Sequence, residues 1–320
     1  EDEGASFPAT AEVLRENTYV DDIITGADSE QEAVELQRQL VQLLQRGCFE
    51  LRKWVSNSKR LLQDLPAGHL ETPVFLQDSH QPHFSILGLH WSPETDCFSY
   101  RLNVPLDDRP TKRSVLSLIA KIYDPCGFLA PFIMQAKCFM QFLWTTGLSW
   151  DAPLPSDCAN KWCNFITDAQ ALSYISIPRS FQFSLSYVIE LHGFADASES
   201  GYAAIVYFCC QLSSGEVIVR PIMAKTRVSP LKRVTLPRLE LCAAHLLGQL
   251  TSHCSSLFKD KISPENVHLW SDSSVVLTWL RTPPYRLKTY VANRVSQTQE
   301  LFPLEVWRHI ASGDNPADCA

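Results

Sequence analysis

The sequence lacks two features that would direct a protein into or across a membrane. None of its 320 residues belongs to an uncharged apolar run of about 18 residues, the length that a membrane-spanning helix needs. The first residues, EDEGASFPAT, are acidic where a secretory signal peptide would be basic and then apolar. We therefore expect a soluble intracellular protein that is neither secreted nor bound to a membrane.

The cysteines lack the pattern of a disulfide framework or a zinc site. There are 11 of them, an odd number, scattered along the chain and including the adjacent pair Cys209 and Cys210 on a predicted strand. Cys158 and Cys163 have no CxxC or HxxxH partner nearby in the sequence. We expect reduced thiols, most of them in the core.

The composition is that of a globular protein: 45% of the residues are hydrophobic and 20% are charged. The net charge of −7 argues against a general nucleic-acid coat. Two windows, 220–239 and 273–299, nevertheless contain basic residues and no acid. Their candidate phosphate contacts are Lys225, Arg227, Lys232, Arg233, Arg238, Arg286 and Lys288. An ordinary solvated face remains the alternative.

Four acids of the second half each lie at the end of an apolar element or on a predicted helix face. They are Asp196 in VIELHGFADA, Glu240 in TLPRLELCAA, Asp272 in LWSDSS and Asp318 in DNPAD. Converging carboxylates repel one another unless a hard divalent cation neutralises them, and oxygen ligands favour Mg²⁺ or Mn²⁺ over Zn²⁺. Two such ions would support hydrolysis of a phosphodiester, which predicts nuclease chemistry.

The pattern around these acids predicts a mixed α/β domain. Strands over 188–195, 201–210 and 215–222 form an antiparallel meander. Pro237 starts a helix with Glu240 in its first turn, the strand 267–270 ends at Asp272, and Ser273 begins another helix. This order resembles the ribonuclease H fold, with the four acids at the positions of that family's metal ligands.

The first half resembles the reverse transcriptase of BEL/Pao-class retrotransposons. TYVDDIITG predicts a tight hairpin with Asp21 and Asp22 at its tip, similar to the YxDD box. Ser29 caps a predicted helix that ends at Gly47. The strings FELRKWVSNS and LGLHW follow, and the second resembles the box at the primer grip.

The apolar stretch 111–144 predicts two helices joined by a DPCG turn, with Pro131 in the first turn of the second helix. This string is characteristic of Pao-type polyproteins. We divide the chain into the C-terminal part of a palm with a primer-grip-like hairpin (1–105), a helical thumb or connection region (106–180) and a ribonuclease H-like domain (181–320). The fold class is α/β, with an α+β N-terminal part. We reject an aspartic peptidase, because no Asp-Ser/Thr-Gly triplet occurs.

The resemblance implies that this polyprotein fragment cleaves the RNA strand of RNA–DNA hybrids with two Mg²⁺ or Mn²⁺ ions. Asp196 would bridge the ions, Glu240 and Asp272 would hold one, and Asp318 would help to hold the other. Hybrid recognition would use shape, phosphates and 2′-hydroxyls. The partners would be the rest of the Pol polyprotein, including the upstream polymerase and integrase, in the cytoplasm, a virus-like particle or the nucleus.

Two departures from the family leave activity open. The palm's earlier catalytic aspartate is missing, so Asp21 and Asp22 form an incomplete polymerase site and we expect no polymerisation by this chain alone. The family continues the fourth acid into a helix, whereas this chain ends at Ala320, so we expect a C-terminally truncated nuclease domain. The alternative is an inactive relic or a fragment that binds nucleic acid without cutting it. His309 either assists product release or is an ordinary exposed histidine.

Overall fold

The protein is described by a computed structural model over residues 4–72, 74–75, 82–86, 89–100, 109–181 and 186–319. Its contacts divide the chain into two compact units, Glu1–Tyr100 with Tyr174–Ser180, and Arg101–Ser173 with Phe181–Ala320. This division groups the predicted helical region with the C-terminal part of the chain. The three-domain division, whose first border lies outside the described residues, stays a prediction.

The first unit combines short helices, a hairpin and an antiparallel sheet. Its helices are α1 (Pro8–Glu16), α2 (Glu30–Arg46) and α3 (Lys59–Leu62), and its hairpin pairs β1 (Thr18–Tyr19) with β2 (Asp22–Ile23). The sheet has the order β3 (Val74–Phe75), β4 (Pro82–Ile86), β5 (Leu89–Ser92), β6 (Cys97–Ser99) and β7 (Ser176–Pro178). As predicted, Ser29 caps α2, with its hydroxyl accepting the Glu32 N–H at 3.3 Å, and Gly47 terminates the helix.

A carboxylate joins β7 to the rest of this sheet. Both oxygens of Asp96 accept hydrogen bonds from the Arg179 guanidinium, at 2.7 and 3.0 Å, and the Trp91 indole N–H donates to the same carboxylate at 3.0 Å. The segment that enters the unit from residue 174 is therefore tied to β5 and to the β5–β6 turn by side chains as well as by the strand ladder.

The second unit begins with the helices predicted around the DPCG turn. They are α4 (Lys112–Lys121), α5 (Ala130–Thr145) and α6 (Ser156–Ala169). Thr111 and Ser114 form a capping box at the start of α4. The rings of Phe132 and Phe165 stack at 4.2 Å between centroids, in an apolar cluster shared by the three helices.

A mixed sheet follows, and its strands are longer than the sequence predicted. They are β8 (Ser186–Ala197), β9 (Gly201–Leu212), β10 (Val217–Val228), β11 (Val267–Ser271) and β12 (Trp307–His309). The order is β10-β9-β8-β11-β12, with an antiparallel meander followed by two parallel pairings. The helices of this part are α7 (Leu236–Leu257), α8 (Ser274–Leu280) and α9 (Thr289–Leu301).

Helix α7 packs on one face of the sheet. Leu191 and Ala195 of β8 are buried on that face, and a Cβ built at Gly193 would lie 2.7 Å from Leu247 of α7, so glycine permits the close approach. Pro237 lies in the first turn of α7 as predicted. Glu240, however, begins the second turn, because the helix starts at Leu236, one residue before the proline.

The edge strand β10 is bound by the helical region. The Ala224 N–H donates to the Cys126 carbonyl at 2.8 Å, Lys137 Nζ donates to the Thr226 carbonyl at 2.9 Å, and the Gln141 amide donates to the Ser229 carbonyl at 2.7 Å. Backbone groups that an edge strand leaves unpaired are thereby satisfied from α5 and the DPCG turn.

Candidate active site

Three of the four predicted acids meet at the carboxyl ends of the parallel strands β8 and β11. The register places Ser271 beside Ala195, so the next residues, Asp272 just after β11 and Asp196 at the end of β8, follow side by side. Asp318 lies in a 3₁₀ turn, Pro316–Cys319, and its carboxyl contacts that of Asp196 through a hydrogen bond. The parallel pairing brings these acids together although 122 residues separate Asp196 from Asp318.

The pKa of Asp196 reflects the proximity of the other acids. Partial burial, the charges of Asp272 and Asp318, and the hydrogen bond that protonated Asp196 donates to Asp318 raise the pKa of Asp196 to about 6, against the opposing effect of the Ala197 N–H. A carboxylate that is costly to ionise is one that a cation would stabilise. Because the predicted ligands are all carboxylates, the donor set fits Mg²⁺ or Mn²⁺.

Glu240, the fourth acid, is connected to the other three by the hydroxyl of Ser273. The Ser273 Oγ donates to Glu240 Oε2 at 2.5 Å, and Ser273 directly follows Asp272. The same hydroxyl accepts the Val276 N–H at 3.2 Å and so caps α8, as the sequence predicted for the start of a helix there. A single serine thus orients the acid of α7 and begins the helix after β11.

The remaining two acids are also held by polar neighbours that the sequence did not single out. Ser312 Oγ donates to Asp272 Oδ2 at 2.7 Å. Asn315, which is buried, donates from Nδ2 to the Ala195 carbonyl at 3.1 Å and accepts the Ala317 N–H on Oδ1 at 3.2 Å, immediately before Asp318. The motif DNPAD indicated the acid but not the function of its asparagine.

The ligand atoms of the four acids are spaced more widely than those of a tight metal cage. Among the residues that the structure describes, the group of three candidate ligands whose atoms all lie within 4.8 Å of one another is a different one, Glu190, His192 and His268. No local sequence pattern indicates this second group. Glu190 and His192 share a strand face, but His268 joins them only through the parallel pairing of β11 with β8.

The predicted phosphate contacts lie on several different elements. Lys225 and Arg227 are exposed on β10, and Lys232 is exposed in the loop that follows. Arg233 lies 3.4 Å from Glu199 in an exposed ion pair. Arg238 and Arg294 face the Tyr290 ring, at 5.0 and 3.8 Å from its centroid, whereas Arg286 and Lys288 are exposed before and at the start of α9. Their binding role stays a prediction.

The polymerase-like acids and His309 lie in exposed positions. Tyr19 pairs with Asp22, so Val20 and Asp21 form the hairpin turn, and Asp22 belongs to the second strand rather than to the tip. His309 is exposed on β12, paired with Ser271. Residues 87 and 88 of the LGLHW string lie outside the described part of the chain.

Comparison with known families decides the assignment. The family model of the Pao retrotransposon-like RNaseH-like domain matches residues 111–273, which is half of the chain. The chain belongs to this family. The match extends from the first residue of the α4 capping box to the serine that follows Asp272, so it covers the helical region together with the strands β8 to β11.

Solved ribonucleases H are similar to part of the Pao-type chain. RNase H1 from Halobacterium salinarum is 14% identical over 40% of this chain and 89% of its own, with a TM-score of 0.25. The N-terminal RNase H domain of Rv2228c from Mycobacterium tuberculosis is 14% identical over 40% and 86%, with a TM-score of 0.27. LC11-RNase H1 in complex with an RNA/DNA hybrid is 14% identical over 41% and 91%, with a TM-score of 0.26. No curated protein matches the chain.

In the described residues, no helix is both long and apolar enough to cross a membrane.

Proposed function

We propose that the chain is a ribonuclease H-type endonuclease that hydrolyses the RNA strand of RNA–DNA hybrids with two Mg²⁺ or Mn²⁺ ions. The observation that carries this proposal is the position of Asp196, half-buried between Asp272 and Asp318 with its pKa raised to about 6. Three acids gathered at the carboxyl edge of a sheet are electrostatically unfavourable alone and favourable around cations. The family supports the choice of reaction class, and the gathering of three acids supports the choice of ligands.

Each acid has a defined part in this proposal. Asp196 at the end of β8, Glu240, Asp272 and Asp318 would together hold the ions. When bound, such ions activate a water and stabilise the leaving oxygen of a phosphodiester. The chain's own contribution is orientation: Ser273 directs Glu240, Ser312 directs Asp272, and Asn315 fixes the turn that carries Asp318.

Hybrid binding would use basic residues on both sides of the acids. Lys225, Arg227 and Lys232 lie on β10 and in the loop after it, and Arg286 and Lys288 lie in the segment leading into α9. Arg238, on α7, is two residues from Glu240. Contacts to phosphates and 2′-hydroxyls would select the hybrid by shape rather than by base sequence. We expect the rest of the polyprotein, including polymerase and integrase, to accompany this domain inside the cell.

A second candidate function is hybrid binding without cleavage. The wide spacing of the four carboxylates favours it, since no three of these described acids place ligand atoms within 4.8 Å of one another. Asp21 and Asp22 do not change this choice, because the turn and strand that carry them are exposed and we expect no polymerisation from this chain alone.

Cleavage of a labelled hybrid separates the two candidates. The purified chain is expected to cut the RNA strand in Mg²⁺ or Mn²⁺, and Asp196→Asn is expected to lower the rate by at least 100-fold, about 3 kcal/mol of barrier. Asp260→Asn, which removes a charge from an exposed turn, is the matched control and should cut like the parent. Hybrid binding with no cleavage in either metal would favour the second candidate, and equal cleavage by Asp196→Asn would refute the site.

A further inference from the structure

A second group of potential ligands lies on the sheet face opposite α7. Glu190 and His192 alternate along β8 with the buried residues that face α7, and His268 is the register partner of His192 on β11. His192 Nε2 lies 3.2 Å from Glu190 Oε2, and His268 Nε2 lies 3.5 Å from Glu190 Oε1. The carboxylate is therefore held between two imidazoles from neighbouring strands.

These separations are those of donors around one small cation. Zinc binds imidazole nitrogen and carboxylate oxygen at about 2.0–2.2 Å in a tetrahedral arrangement, which places its donors roughly 3.3–3.5 Å apart. The distances from the two histidines to the carboxylate, each to a different oxygen, are close to that spacing, and one ligand atom from each of the three residues lies within 4.8 Å of the others. Hydrogen bonds alone would also explain a short distance to His192, but the 3.5 Å approach of His268 is at the limit for a hydrogen bond.

The type of donor determines the class of metal. Two imidazoles with one carboxylate suit Zn²⁺ and similar transition-metal ions, whereas Mg²⁺ prefers oxygen ligands. We propose that Glu190, His192 and His268 bind one transition-metal ion of the zinc class, which links β8 to β11 and leaves a coordination position open. Nothing in this proposal depends on nuclease activity.

The ionisation of the group is suited to metal binding. Burial, together with the charges of Arg308 and His192, lowers the pKa of His268, so its ring is neutral near pH 7. Partial burial alone would raise the pKa of Glu190, but hydrogen bonds and charges from both histidines lower it, so the carboxylate is ionised. In addition, Nδ1 of His268 is buried with no hydrogen-bond partner, so the contact of its Nε2 with Glu190 is the one that bears on which nitrogen carries the proton.

The proposed site is separate from the four acids. On β8, Phe194 lies between His192 and Asp196 on the same strand face, and four residues of strand span about 13 Å. The Phe194 ring stacks with Trp270, the neighbour of the site on β11. A change at Asp196 should therefore leave the second group intact.

The hydrogen bond that Trp270 donates to His192 should weaken metal binding by a measurable amount. Its indole N–H donates to His192 Nδ1 at 3.2 Å and favours the tautomer whose proton is on Nε2. Coordination through Nε2 moves that proton to Nδ1, where it meets the indole donor. Removing the donor with Trp270→Phe should therefore tighten metal binding.

The test is titration of the untagged, chelator-treated chain with Zn²⁺ by calorimetry, and with Co²⁺ by absorption spectroscopy. We expect one equivalent of Zn²⁺ to bind, a Co²⁺ spectrum typical of low coordination number, and thermal stabilisation by Zn²⁺ that is lost in His268→Gln and retained in Asp196→Asn. Loss of an outer-sphere partner typically costs about 10- to 100-fold in metal affinity, so loss of a ligand in His268→Gln or Glu190→Gln should cost at least that much.

Matched variants exclude other binding sites. His253→Gln removes an exposed imidazole from α7, Cys209→Ser removes the thiol opposite Glu190, and Asp196→Asn changes the acidic site; all three should bind Zn²⁺ like the parent. The proposal is overturned if no saturable binding occurs, if folded His268→Gln binds as tightly as the parent, or if Cys209→Ser or Asp196→Asn abolishes binding. Weaker binding by Trp270→Phe would likewise contradict coordination through Nε2.

Discussion

Asp196 should make the stability of the chain depend on pH in the absence of divalent ions. Its folded pKa of about 6 lies above the ordinary value of 3.8, so its contribution to stability is fully present below about pH 4 and is lost as the pH rises through 6. We expect the free energy of unfolding in chelator to fall over this range. Since the side chain is about half exposed, solvent screening limits the loss to ~1–2 kcal/mol.

Urea unfolding at a series of pH values, with and without Asp196→Asn, measures this effect. The asparagine variant should be more stable than the parent near pH 7.5 and equally stable near pH 4, because an amide does not ionise. Asp260→Asn removes a charge from an exposed turn and serves as the control. Parallel pH profiles for the parent and Asp196→Asn would show that the acids are not in contact.

Substitutions of Asn315 test whether its buried side-chain amide positions Asp318. Asn315→Ala removes both the donor to the Ala195 carbonyl and the acceptor of the Ala317 N–H, so we expect a loss of ~1–3 kcal/mol in stability. Hybrid cleavage should fall further than global unfolding explains, because Asp318 follows directly. Asn315→Asp keeps the acceptor and loses the donor. Unchanged cleavage in both variants, measured at saturating metal, would contradict a positioning role.

At the scale of single residues, the sequence predicted the acids but not their partners. Asp196 and Asp272 each end an apolar strand, a local signal that is visible without a structure. Ser312 and Asn315 act across the fold, on Asp272 and on the Ala195 carbonyl, and no local pattern marks such contacts. His268 was missed for the same reason, since its register with β8 is a property of the sheet.

At the scale of elements, the DPCG turn is the joint between the helical region and the sheet. Gly127 has φ +75°, and a Cβ built there would lie 1.8 Å from the Ala224 carbonyl oxygen of β10. Gly147 has a similar φ of +70° but no atom within 4 Å of its built Cβ. The two glycines therefore form a matched pair that separates backbone conformation from close packing.

We expect Gly147→Ala to cost ~1–2 kcal/mol, the penalty of a left-handed alanine, and Gly127→Ala to cost clearly more, because β10 must also move away. Denaturant unfolding of both variants measures the difference. Lys137 and Gln141 would then lose their alignment with the carbonyls of the strand. Equal losses of stability in Gly127→Ala and Gly147→Ala would show that the DPCG turn does not pack against β10.

Element types were predictable where a pattern was long or punctuated by proline. The helices on both sides of the DPCG turn, and α7 after Thr235, were predicted from apolar spacing with Pro131 and Pro237 near their starts. The strand ends were predicted too short, because β8 and β9 pair beyond their apolar residues. The contact of α5 with β10 had no local signal.

At the scale of the whole chain, the resemblance to Pao-type sequences indicated the family, and the match over residues 111–273 confirms it. The assignment of residues to the two compact units could not be predicted from local sequence patterns. The segment Tyr174–Ser180 belongs with the first unit through the pairing of β7 with β6, whereas the helices before it belong with the nuclease sheet. Both facts depend on long-range pairing.

The helical region should be required for a soluble nuclease domain. A fragment of residues 181–319 would lose α4–α6 and the groups that bind Ala224 and Thr226 of the edge strand and Ser229 directly after it. An edge strand with free backbone groups promotes pairing between chains. We expect this fragment to aggregate or to unfold at lower denaturant than a fragment of residues 109–319, with both compared by light scattering and urea titration. Lys137→Met together with Gln141→Leu in the longer fragment should reproduce part of the loss, since these changes remove the donors but keep α5. A monomeric 181–319 fragment as stable as the longer one would show that the sheet does not depend on the helices.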